Sequence, residues 1–94
     1  MSGASSITEF LLTDHARLEM ERRCITETVV ARVLFAPEQV ETIRPGRAVY
    51  QSRVELDQPS KIYLVRVFVD IDRWPPEVVT VYRTSKVGKY WRAE

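Results

Sequence analysis

His15 is the only histidine in the chain, and imidazole is the side chain best suited to moving protons near neutral pH. Cutting RNA without a metal needs a base for the 2′-hydroxyl proton, an acid for the leaving oxygen and cations for the charged phosphorane. His15, Arg66 and Lys86 bring groups for much of that work. The plainer role for His15, two residues past a helix cap, is to order the start of that helix. Arg66 interrupts Ile62 to Val69, the run richest in β-branched and aromatic residues. A charge there is costly unless it is paired or opens to solvent or a ligand. Its planar fork matches phosphate oxygens, while an ion pair with Asp70, Asp72 or a helix acid would satisfy it equally. Downstream, Tyr82-Arg83-Thr84-Ser85-Lys86 gathers hydroxyls and cations that can grip phosphate. Tyr90 and Trp91 could stack on bases, but pinning the tail to the domain is the better reading of them. Cys24 reads as a structural filler at a helix end, where a left-handed residue is often required. One Cys and one His do not make a structural zinc site.

The elements that would carry these residues follow from pattern. Residues 1–8 read as a loose N-terminal tail, small and polar from Met1 to Ser6. Thr13 is the expected N-cap of a first helix, with Asp14 in its first turn and Arg22 and Arg23 in its last. Leu11 or Leu12 would staple the entry. Thr26 starts a second helix whose Val29, Val30, Val33 and Leu34 form an apolar stripe, and Pro37 ends it near Phe35 or Ala36. From Val40 the period changes to two. Strands are expected over Val40 to Arg44, Arg47 to Val54, Ile62 to Val69 and Val78 to Ser85, with turns at Pro45-Gly46 and Asp57 to Ser60 and a longer link through Trp74-Pro75-Pro76.

Short connections make these strands an antiparallel meander. The expected fold is α+β: two N-terminal helices packed on one face of a four-stranded antiparallel sheet, the other face left open. Alternation places Tyr63, Val65, Val67, Val69, Val79 and Val81 under the helices. It leaves Arg47, Gln51, Arg53, Arg66, Tyr82, Thr84 and Lys86 on the open face, with Ile62, Leu64 and Phe68. Cations, hydroxyls and an aromatic ring suit single-stranded RNA; a polar face that merely keeps the sheet in solution is the competing explanation.

Composition sets the bounds. The chain has 94 residues, 45% hydrophobic and 29% charged, enough for one globular domain and unlike disordered or collagen-like chains. Its longest apolar run is about four residues against the ~20 needed to span a bilayer, and the N-terminus lacks the pattern of a secretory signal. No membrane association and a cytoplasmic location are therefore expected, in keeping with a single cysteine. Residues 1–43 hold seven acids and four bases (−3), and residues 44–94 six acids and ten bases (+4). A basic second half suits an anionic partner.

The segment His15-Ala16-Arg17-Leu18-Glu19-Met20-Glu21-Arg22-Arg23-Cys24-Ile25-Thr26 resembles the opening of a small bacterial and archaeal family, domain of unknown function 4258. Arg66-Val67-Phe68-Val69-Asp70 and Val79-Thr80-Val81-Tyr82-Arg83-Thr84-Ser85-Lys86 are similar to parts of its second half. The likeness spans roughly residues 10–91. That family looks like a branch of the RelE/ParE-like toxin fold, within the barnase-EndoU-colicin-RelE group of metal-independent ribonucleases. The resemblance implies two helices on a four-stranded antiparallel sheet and an endoribonuclease or toxin-like role on single-stranded RNA, with no cofactor. It implies His15 as acid or base, Arg66 as phosphate-binding cation, and Thr84 or Ser85 with Lys86 as the polar end of the site. Cys24 departs from the family, which has Gly there. RNA, an antitoxin protein and a second copy of the chain are the expected partners. A non-catalytic interaction module on the same fold is the alternative, since relatives such as ParE act on gyrase rather than RNA.

Overall fold

The computed structural model describes residues 6–93. A two-residue strand, β1 (Leu11–Leu12), leads into helix α1 (Asp14–Arg22) and helix α2 (Glu27–Phe35). Four strands follow: β2 (Gln39–Arg44), β3 (Arg47–Leu56), β4 (Lys61–Asp70) and β5 (Glu77–Thr84), then a single turn, α3 (Val87–Tyr90). Both main helices begin as their sequences dictate. Thr13 accepts a hydrogen bond from the Ala16 amide, and Thr26 accepts one from the Val29 amide. After α1 the chain reverses through Cys24 at φ 54°, the left-handed position expected at that helix end.

β2 to β5 form the expected antiparallel meander. The sheet is nevertheless five-stranded and mixed, in the order β1-β5-β4-β3-β2, because β1 pairs parallel with β5 through Leu11–Glu77 and Leu12–Val78. The four-stranded antiparallel sheet is thus corrected. Leu11 and Leu12 add an edge instead of only stapling the helix, and their partner lies 66 residues away in sequence, so no local pattern marks it.

The tail expectation changes too. Ile7 is buried in the core and its amide donates to Leu34 O at 2.9 Å, while Ser6 Oγ donates to Phe35 O. Residues 6–8 are therefore docked rather than loose; the part of that expectation covering residues 1–5 lies outside the described residues. Among the described residues, no helix is long and apolar enough to cross a membrane.

The core lies between the helices and one sheet face. Ala16 and Met20 of α1 and Val29, Val30, Val33 and Leu34 of α2 meet Ala48, Tyr50, Val54, Val65, Val67, Val69, Val78 and Val81. Full burial of each such valine stabilises the fold by about 1.5–3 kcal/mol relative to exposure. One phase assignment fails. A bulge between Phe68 and Val69 sets Phe68 opposite Thr80 but Val69 opposite Val78, so Val78 is fully buried while Val79 is only half-buried. An extra residue in one strand reverses the alternation beyond it.

The second face of the sheet is not open as expected. After β5 the chain turns back at Lys86 and lays the segment 87–92 over it, so Gln51, Leu64 and Val49 on this face are nearly or wholly excluded from solvent.

Candidate functional site: a guanidinium under an aromatic strap

Register builds the centre of this face. Gln51 of β3 pairs with Arg66 of β4, which pairs with Tyr82 of β5, so three polar side chains stand in a row across three strands. Arg66 Nε donates to Gln51 Oε1 at 2.8 Å, and Arg66 Nη1 donates to Tyr82 Oη at 2.6 Å. The guanidinium lies 4.6 Å from the centre of the Tyr90 ring and 5.4 Å from that of Phe68. Phe68 in turn stacks on Tyr82 at 5.9 Å.

Arg66 has no carboxylate partner among the described residues. Every buried side-chain nitrogen and oxygen among them has a hydrogen-bond partner. The Nη2 of Arg66 has none, so it reaches solvent. Neutral ligands hold this cation in place without cancelling its charge, and its Nη2 is left to bind an anion.

Gln51 is only 2% exposed and links this centre to the strap. Its Nε2 donates to Gln39 Oε1 at 2.8 Å and to Tyr90 O at 3.3 Å. Gln39 completes the clasp: its Nε2 donates to Arg92 O, and its Oε1 accepts from the Arg92 amide. Trp91 stacks on Arg53 with the guanidinium carbon 4.1 Å from the ring centre. Tyr90 and Trp91 do pin the tail, as the composition of that segment suggests.

The remaining candidate residues are spread out. Arg47 lies at the far end of the face, opposite Asp70, and binds both its oxygens at 2.7 and 3.1 Å. That bond holds the Asp70 carboxyl below its ordinary value despite partial burial. Arg47 is thereby committed to structure. Arg53 makes a two-pronged pair with Glu38, whose carboxyl it likewise holds low. Thr84 Oγ1 accepts from the Lys86 amide and shapes the turn into the strap. Ser85 and Lys86 are exposed just past the end of β5, so Lys86 does not continue the strand face. Arg83 is on the helix side, bonded to Asp57 and lying over Tyr63.

His15 is exposed on α1. His15, Glu19 and Arg23 share one stripe of the helix by their spacing of four. Glu19 is buried and binds Arg22 and Arg23, each at 2.8 Å. The hydrogen bond from Arg23 does most to hold the Glu19 carboxyl below its ordinary value, against the opposing effect of burial. Arg23 then reaches over the ring of Tyr82 at 5.9 Å. His15 is about 12 Å back along the helix axis from Arg23. Arg23, not His15, is the residue from the end of α1 that reaches the Tyr82 ring beside Arg66. Alternation put Gln51, Arg66 and Tyr82 on one face without pairing them, and it gave no sign of Arg23 or Gln39, which join the site only through tertiary packing.

A concavity of about 280 Å³ opens elsewhere, between the end of α2 and β3, lined among others by Arg32, Phe35, Ser52 and Arg53. Among the described residues, no three His, Cys, Asp or Glu side chains gather as a metal site would need. No family model matches the chain, and neither the curated proteins nor the solved structures hold a significant match to it.

Proposed function

We propose that this chain is a RelE-like module that binds single-stranded RNA on the face around Arg66 and cuts it without a metal. The observation that carries the proposal is the Arg66 guanidinium, fixed by two neutral side chains, free of any carboxylate among the described residues, and open at Nη2. A phosphate oxygen bound there meets an undiminished positive charge in a partly desolvated setting, where such contacts are strongest. Tyr82 orients the guanidinium through its hydroxyl. Cleavage follows from attack of the 2′-hydroxyl on phosphorus with loss of the 5′-oxygen, leaving a 2′,3′-cyclic phosphate. One proton leaves the 2′-hydroxyl and one reaches the leaving 5′-oxygen; His15 serves one of these transfers and solvent water the other.

One observation favours the non-catalytic version, in which the same face binds without cutting: the residue that reaches from the end of α1 to the Tyr82 ring beside Arg66 is Arg23, about two turns from His15. Cleavage of end-labelled RNA in EDTA by wild type, His15→Ala and Arg66→Ala separates the two. The nuclease reading expects each substitution to lower the rate by about 100-fold or more. Equal rates in all three chains would reject it, and RNA binding without cleavage would establish the non-catalytic version.

A further inference from the structure

The strap is held to the sheet by its Tyr90 and Trp91 rings and by side-chain amides that bond to its backbone at Tyr90 O, Arg92 O and the Arg92 amide. None of the residues of α3 is buried, and a Cβ added at Gly88 would meet nothing within 4 Å. Two cation–ring pairs, an edge-on contact between the Tyr90 and Tyr82 rings, the Gln39 and Gln51 amide hydrogen bonds and a 3.8 Å ion pair between Arg92 and Glu41 hold it down. The two pairs have a regular geometry. Arg66 lies opposite Gln51, and Arg53 is two residues further along the same strand, so the two guanidiniums spring from diagonal positions roughly 7–8 Å apart. The rings over them belong to consecutive residues, Tyr90 and Trp91.

We propose that the strap is an internal ligand of this face: Tyr90 and Trp91 fill two stacking slots, over Arg66 and Arg53, that two successive bases of single-stranded RNA occupy when the strap lifts. Bases and aromatic side chains compete for a guanidinium plane by the same stacking and cation–π attraction. A bound strand adds what the strap lacks, a phosphate for Arg66 Nη2. The inference rests on the RNA-binding reading and extends it from one phosphate contact to a two-base site regulated by the chain's own C-terminal turn.

Two measurements test it. Affinity for a fluorescent oligouridylate is compared between wild type and the full chain carrying Tyr90→Ala and Trp91→Ala, where the proposal expects roughly tenfold tighter binding by the variant. Should removal of the rings disturb folding, the Trp74→Phe chain keeps the strap intact and leaves Trp91 as the only indole. Its emission should then shift to longer wavelength as oligouridylate saturates the protein. Equal or weaker binding by the double variant, or unchanged Trp91 emission at saturation, overturns the strap proposal while leaving the RNA reading in place. Absence of binding by both wild type and variant overturns both.

Discussion

Arg66 and Gln51 depend on each other in a way that stability measurements can read. Gln51 is buried and uses both ends of its amide, accepting from Arg66 and donating to Gln39 and to the strap. Leucine in its place would leave the Arg66 Nε without an acceptor in a half-buried setting, and unmade hydrogen bonds to a charged group are expensive. Gln51→Leu should lower stability by about 2–3 kcal/mol, read as a lower urea midpoint with an unchanged slope. The importance of Arg66 was legible because a cation in a valine-rich strand requires an explanation. Its partner was not. Asp70 stood among the acids that might have paired with it, but antiparallel register sets Arg47, not Arg66, opposite Asp70. A one-strand reading cannot choose between two arginines when the choice is made by a neighbouring strand.

Among the elements, those whose signals are local could be read directly. Thr13 and Thr26 cap the helices, Pro45-Gly46 turns the β2–β3 hairpin with Gly46 at φ 86°, and Cys24 takes the left-handed position. Elements defined by long-range pairing were invisible, namely the short parallel β1 and the bulge in β5, and the strap was legible only as Tyr90 and Trp91 pinning the tail, not as a cover over Arg66. The bulge gives a sharp prediction because it reverses which valine is inside. Val78→Ala removes two methyl groups from a fully buried site and should cost about 2 kcal/mol, whereas Val79→Ala should cost under ~1 kcal/mol. Thermal unfolding of the two variants settles the order. The uncorrected alternation, with Val79 inside, requires the reverse.

Across the whole molecule, several arginines of residues 44–94 are tied into ion pairs within the fold. Arg47, Arg53, Arg73 and Arg83 all pair with carboxylates, which leaves Arg66 more prominent than the formal charge suggests. The same pairs make stability depend on acid. Bonds from Arg47, Arg53, Arg83 and Arg23 hold the carboxyls of Asp70, Glu38, Asp57 and Glu19 below their ordinary values. Groups depressed in the folded state contribute stability that is present above the unfolded value and lost as pH falls through the folded one. Stability should therefore begin to fall near the ordinary values, 4.5 for glutamate and 3.8 for aspartate, and continue falling at lower pH. Urea titrations between pH 6 and pH 2 check this. For solvent-exposed members of the set, added salt should shrink the effect.

The affinity of wild type and Arg66→Gln for single-stranded RNA across a salt series, with Arg47→Gln as control, bears most directly on the unpaired Nη2 of Arg66. Loss of one phosphate contact should weaken binding by about tenfold and reduce the slope of log affinity against log salt by about 0.7, while Arg47→Gln leaves both unchanged. Equal affinity and slope for wild type and Arg66→Gln would contradict the assignment of Arg66 as the phosphate-binding cation.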